Sequence, residues 1–176
     1  MSIASGSASD TLRLTISRQG GFSRRALDEV KISDRLWLKG PYGEFVVAPQ
    51  QPGDRIILIA GGTGITPFCA FMEDLWLSSL ARRNSVTLYY GARVPELLVY
   101  RELTGFSMVY YVEETERPTL VVGGRLDMDR ITAEQDDPQR CLFYLSGPKL
   151  MIDAFSTRLK SHHRIAPERV LVDAWE

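Results

Sequence analysis

The sequence predicts an α/β protein: a doubly wound parallel sheet of five strands, preceded by a smaller β-sheet or barrel. Three observations predict it. From Arg55 onward, apolar runs of strand length alternate with helical patterns, and the first of those runs passes straight into a glycine-rich turn. The first ~50 residues show instead short strand-like runs punctuated by glycine.

Along the chain, Leu12, Leu14 and Ile16 alternate with Arg13 and Thr15, the pattern of a half-buried strand. Gly20-Gly21 breaks it, and residues 23–28 fit a short helix. Leu36-Trp37-Leu38 reads as another short strand, followed by the turn Gly40-Pro41-Tyr42-Gly43 and the strand-like Phe45-Val46-Val47. The polar stretch Gln50-Gln51-Pro52-Gly53-Asp54 marks a boundary, giving domains over residues 1–50 and 51–176. Ile56-Ile57-Leu58-Ile59-Ala60 is continuously apolar, as a parallel strand covered on both faces must be. Gly61-Gly62-Thr63-Gly64-Ile65-Thr66-Pro67 follows, then Phe68, Phe71, Met72, Leu75 and Trp76 at helical spacing. Further strands are expected over residues 86–90, 106–112, 141–145 and 170–172. A helix is expected over residues 96–103, and another opens at Gly147-Pro148 and runs through Met151, Ala154, Phe155 and Leu159. Such alternation implies right-handed crossovers. The Ser/Ala/Gly-rich opening reads as a flexible start.

Composition narrows the class. The formal net charge is −1 with the signs interspersed, which gives no basis for a nucleic-acid binder. The apolar run ending at Ala60 is far short of the ~20 residues that span a bilayer. The start lacks a basic segment followed by an apolar one, so no membrane partner is expected and a cytoplasmic protein is the default. Cys69 and Cys141 lie far apart, without a metal-ligand or redox CxxC spacing.

The glycine-rich turn carries the chemistry. Glycines permit a tight turn and close backbone approach, while the helix start offers free N–H groups and a positive dipole end to a phosphate or pyrophosphate. Pro67 suits the first helical turn, where its missing N–H costs nothing, and Thr63 and Thr66 can donate hydroxyls or cap the helix. An α/β protein can also use such glycines purely to turn. No Lys-Ser or Lys-Thr follows, so this is not a Walker A loop, and Pro67 stands where the usual dinucleotide fingerprint has its last glycine.

In order, the segments resemble the ferredoxin-NADP reductase superfamily, most closely its bacterial oxygenase-reductase and flavodoxin-reductase-like members. The segment from Gly61 to Pro67 resembles the family's pyrophosphate loop, and Tyr90-Gly91-Ala92-Arg93 the end of its second nucleotide-domain strand. Tyr144-Leu145-Ser146-Gly147-Pro148 resembles the Cys-Gly-Pro or Ser-Gly-Pro segment beside the nicotinamide, and Val170 to Trp175 the terminal strand that finishes near the flavin. Gly40-Pro41-Tyr42-Gly43 is similar to the turn closing the flavin domain. The family's Arg-x-Tyr-Ser segment is matched only by Ser2-Ile3-Ala4-Ser5, without the Arg and Tyr. Gly21 and Ser23 resemble its phosphate-contact segment, with Arg24 or Arg25 as helpers. The first domain is therefore expected to be a partial, antiparallel FAD-binding barrel and the second an NAD(P)-binding domain.

The resemblance implies a flavin-dependent oxidoreductase moving electrons from NAD(P)H through FAD to a separate acceptor protein, with a further partner completing the barrel if nothing else does. The alternative is a non-catalytic nucleotide-binding or regulatory module that lost its flavin site. The cofactors carry such chemistry and the protein positions them. Gly61, Gly62, Thr63, Gly64, Thr66 and Pro67 would hold the pyrophosphate; Ser146, Gly147 and Pro148 would line the nicotinamide pocket. Ser146 can equally be an ordinary helix cap. Trp175 would cover the flavin ring or simply pack, and Tyr42 is assigned to packing. Arg93 would meet the adenosine ribose or its 2′-phosphate, or pair with Glu96. Adjacent His162 and His163 point apart at a helix end, and no metal site is expected.

Overall fold

The computed structural model describes residues 2–18, 20–46, 53–76, 85–101, 105–114 and 121–173. The boundary segment 47–52 and Trp175 lie outside them.

The parallel strands are β3 (Arg55–Gly61), β4 (Val86–Ala92), β5 (Ser107–Val112), β6 (Val122–Gly123), β7 (Cys141–Ser146) and β8 (Val170–Val172), in the spatial order β6-β5-β4-β3-β7-β8. The chain winds outward from β3 to β6, then returns to lay β7 on the other side of β3. Strand order therefore reverses at the β3–β7 pair, the place where open α/β sheets form their ligand crevice.

The residue pattern of β3 explains why it is central. Successive side chains of a strand point to opposite faces, so Ile56, Leu58 and Ala60 join one buried cluster and Ile57 and Ile59 the other. Helix α2 (Thr66–Trp76) covers the first face through Phe68, Cys69, Met72 and Leu75. The second is covered by α3 (Met128–Ala133) through Met128 and Ile131, and by α4 (Lys149–Thr157) through Ile152. Five fully buried side chains in a row leave β3 no polar face.

All five expected strands are present, with β6 added at the sheet edge, too short to show any periodicity. Helix α3 is also additional; Asp127 caps it, its carboxylate accepting from the N–H groups of Asp129 and Arg130 at 2.9 and 3.2 Å. The expected helix over residues 96–103 is corrected across its described part, 96–101: a single 3-10 turn, Pro95–Leu97, is followed by non-helical chain to residue 101, and residues 102–103 lie outside the described residues. Tyr100 has φ of 62°, outside the right-handed helical region, and its hydroxyl lies 2.7 Å from the Thr15 hydroxyl. Helix α4 continues as a π-helical turn over Arg158–His162.

Ahead of the sheet, β1 (Ser2–Ile3) and β2 (Leu14–Thr15) pair antiparallel, and α1 spans Gly20–Glu29. The expected strands at Leu36-Trp37-Leu38 and Phe45-Val46 have no ladder partner and run as irregular chain, with Trp37 fully exposed; Val47 is outside the described residues. A strand needs a neighbour for its N–H and C=O groups, and among the described residues no strand pairs with these.

The opening is not the flexible start its composition suggests. Ala4 is fully buried in the α2-side cluster. The Gly6 N–H donates to Glu73 Oε2 at 2.8 Å, and the Ser7 N–H and hydroxyl donate to Asp74 Oδ1 at 2.6 and 2.9 Å. A β-carbon on Gly6 would sit 2.6 Å from Asp74 Oδ1, so the small residues here serve close packing. Arg13 adds an ion pair with Glu73.

Candidate functional site

At the carboxyl edge of β3, Gly61 leads into a 3-10 turn over Gly62–Ile65, and α2 begins at Thr66. The adjacent β7 ends at Ser146, paired with Ala60, and Gly147-Pro148 leads into α4. These two loops touch through glycine. A β-carbon on Gly64 would lie 2.2 Å from the Ser146 carbonyl oxygen. One on Gly61 would lie 2.7 Å from Met151 Sδ, and one on Gly147 would lie 3.0 Å from the Gly61 backbone. Gly147, with φ of 150°, also adopts a backbone that side chains disfavour. The structure thus brings Gly61, Gly62, Thr63, Gly64, Thr66, Pro67, Ser146, Gly147 and Pro148 into one place.

Within it the residues divide into surface and scaffold. Thr63 is exposed, and Gly62 is half-buried at φ of 54° with nothing within 4 Å of where a β-carbon would point. Thr66 is buried, and its hydroxyl donates to the Thr63 carbonyl at 2.7 Å, so it braces the turn and has no donor left to offer outward. Backbone at Gly62 and Thr63 is what the turn offers an anion.

Ser146 is buried too, and its hydroxyl donates to Asp173 Oδ2 at 2.8 Å. Asp173 follows β8; its N–H donates to the Leu145 carbonyl at 2.9 Å, which sets the carboxylate beside the end of β7. Sequence reading passed over Asp173. A sequence separation of 27 hides the pair, and the β7–β8 register brings the partners together.

Arg93 is exposed just past β4, and its Nε lies 3.7 Å from Glu114 Oε1, a partner the sequence reading did not weigh beside Glu96. Ser2 pairs with Thr15 in the small sheet, while Gly21 is exposed and Ser23 buried in the first turn of α1. Arg24 and Arg25 are exposed on that helix, and Arg25 Nε is 3.4 Å from Glu29.

The cysteines are buried. Burial pushes the Cys141 thiol up to about 11, leaving it protonated near neutrality, and the Cys69 thiol donates to the Ile65 carbonyl at 3.4 Å. His163 Nε2 lies 2.7 Å from Asp129 Oδ1, a surface ion-pair geometry shared with Arg158. Among the described residues no three His, Cys, Asp or Glu side chains gather as a metal site, and no helix is long and apolar enough to cross a membrane.

The family model described as the oxidoreductase NAD-binding domain matches residues 58–157, from β3 to the end of α4. The chain belongs to this family. It lies within the ferredoxin-reductase-like superfamily and matches bacterial oxygenase-reductase components. The chain is 30% identical over 149 residues to the propane 2-monooxygenase reductase component of Rhodococcus jostii, covering 77% of this chain and 39% of that protein. It is 32% identical over 144 residues to the carnitine monooxygenase reductase subunit of Escherichia coli, covering 81% and 41%. The chain therefore spans about two fifths of the length of these relatives. Its fold is similar to the flavohaem-like FAD/NAD-binding domain of nitric oxide dioxygenase from Vibrio cholerae, with a TM-score of 0.81 at 20% identity, covering 98% of this chain and 75% of that one.

Proposed function

We propose that this chain is the nicotinamide-nucleotide lobe, with part of the flavin lobe, of a reductase passing electrons from NAD(P)H through FAD to a separate acceptor protein. The observation that carries this reading is the contact between the Gly61–Gly64 turn and the Ser146–Gly147 loop at the strand-order reversal. It makes a glycine-floored shelf in which backbone, rather than side chains, meets a ligand.

On this reading Gly62 and Thr63 bind the pyrophosphate through backbone N–H groups, and Gly64, Thr66 and Pro67 shape the turn. Gly147 and Pro148 border the nicotinamide, and the Ser146 hydroxyl, held by Asp173, keeps a polar wall with its hydrogen already committed. A bound nicotinamide supplies a hydride equivalent, and proximity to its acceptor is what the protein must arrange. Trp175 lies outside the described residues, and the cover of the flavin ring that the resemblance implies for it belongs to this proposal.

For a flavin the fit is partial. The first turn of α1, with Gly21, Ser23, Arg24 and Arg25, suits a phosphate, and Ser2 belongs to β1. Of the ring-binding segment, Ser2-Ile3-Ala4-Ser5 matches the part that follows Arg-x-Tyr. Leu36, Trp37, Leu38 and Tyr42 are exposed where a barrel would be expected to continue. A polypeptide completing it, an acceptor such as an iron-sulfur, haem or flavodoxin-type protein, the domain division at residue 50 and a cytoplasmic site all belong to this proposal. That exposed face favours the second reading, a nucleotide-binding module without flavin chemistry.

The visible spectrum of the purified chain with added FAD separates the two. Flavin bands that bleach anaerobically with NADH or NADPH support the reductase; nucleotide binding without flavin uptake supports the module. Neither nucleotide shifting the amide resonances of Gly62–Gly64 overturns both.

A further inference from the structure

Met151 sits in the first turn of α4, its N–H donating to the Pro148 carbonyl at 2.9 Å. Long helical side chains lean back toward the helix start, so its thioether lies over the loop from which the helix springs. Because β7 runs beside β3, with Ser146 opposite Ala60, it reaches the neighbouring loop as well. A β-carbon on Gly61 would lie 2.7 Å from the Met151 sulfur, and one on Gly147 would lie 2.8 Å from its terminal methyl. Both glycine loops thus close on one side chain. Among the described methionines, Met72 and Met128 are buried, while Met108 and Met151 are half-buried. Cys69 and Cys141 are buried, so the thiols are the less accessible sulfur.

We infer that Met151 is an oxidation site through which a peroxide loosens the hold on a nicotinamide nucleotide. The inference rests on the reading of the two glycine loops as a nucleotide shelf. In the step, the thioether sulfur gives two electrons to hydrogen peroxide: the O–O bond breaks, an S–O bond forms, and the second oxygen leaves as water with both protons. The product, methionine sulfoxide, is polar and chiral where the thioether was apolar. Such a head no longer suits a contact with two glycine backbones and with the apolar cluster on that face of the sheet, and it turns to water. The loops then lose the surface that sets their spacing, and the backbone at Gly62 and Thr63 loses its alignment toward a pyrophosphate. Methionine sulfoxide is reduced again by its dedicated reductases, so the change acts as a switch.

Hydrogen peroxide treatment of the purified chain, followed by peptide mass mapping and by calorimetry with NAD+ and NADP+, tests this without turnover. The expected result is one oxygen gained at Met151 and nucleotide affinity lowered roughly fivefold or more, an ordinary size for coupling to a binding site. Amide resonances of Gly61 and Gly147 should shift with the oxidation, and a methionine sulfoxide reductase should reverse both changes. In Met151→Leu, which keeps an apolar side chain of similar volume without the sulfur, peroxide should leave the variant's own starting affinity unchanged. In Met108→Leu the loss should persist. An unoxidised Met151, an oxidised one without loss of affinity, or the same loss in Met151→Leu overturns the inference and leaves the nucleotide site standing. Binding of neither nucleotide by the untreated chain overturns the site itself, and the switch with it.

Discussion

Gly64 lies where an added β-carbon would sit 2.2 Å from the Ser146 carbonyl oxygen, closer than any non-bonded contact allows, and the neighbour is backbone rather than a flexible side-chain tip. Gly64→Ala must therefore part the two loops. The expected cost is about 1–3 kcal/mol, read from the denaturant midpoint, together with loss of nucleotide-induced shifts at Gly62. Asp173→Ala acts differently: it strips the Ser146 hydroxyl of its acceptor in a buried setting. An orphaned buried hydroxyl costs about 1–3 kcal/mol, and removing Ser146 as well, in Ser146→Ala with Asp173→Ala, should recover part of that loss in a double-mutant cycle. Most of the turn was legible, because glycine, threonine and proline have positional meaning between a strand and a helix. Thr66 turning inward, and Asp173 arriving from another strand, were not, since both depend on tertiary register.

Helix α3 has six residues, too few to persist by propensity alone, so its cap and its ion pairs matter. Asp127→Ala removes an acceptor shared by two N–H groups and should lower stability by about 1 kcal/mol. Inside the helix, hydrogen bonding from Arg158, and then from His163, holds the Asp129 carboxyl well below the usual carboxylate range. A group depressed in the folded state contributes stability that is complete above its unfolded value, about 3.9, and is lost as pH falls through the folded one. The thermal midpoint of Asp129→Asn should thus lie below that of the unaltered chain at neutral pH, the gap closing under acid conditions. Strands β3, β4 and β7 were legible as apolar runs because they are buried almost throughout, and the half-buried β5 and β8 through their β-branched and aromatic residues. Short α3 and the two-residue β6 give no periodic signal, and in the segment after β4, whose residues favour a helix, Tyr100 takes a left-handed backbone and meets Thr15.

Across the whole molecule, two tightly packed layers flank the parallel sheet, while residues 31–46 carry Ile32, Trp37 and Tyr42 largely uncovered. Apolar surface of this kind drives association. The chain by itself should self-associate as its concentration rises, and Trp37→Lys should suppress that in sedimentation while shifting stability by no more than about 0.5 kcal/mol. An unchanged association profile would mean that some other surface is responsible. At this scale the doubly wound body was legible and the fate of the expected barrel strands was not, because a strand's existence depends on a neighbour that its own residues do not specify. One linkage joins the opening residues to the glycine turn. Helix α2 is pinned at Glu73 and Asp74 by the opening residues Gly6 and Ser7, and its other end emerges from the glycine turn. It behaves as a tie-rod under load at both anchors: slackening either loosens the whole. Trimming the chain past Ser7 should accelerate amide exchange as far as Thr66, and a dinucleotide docked at the far anchor should slow it again.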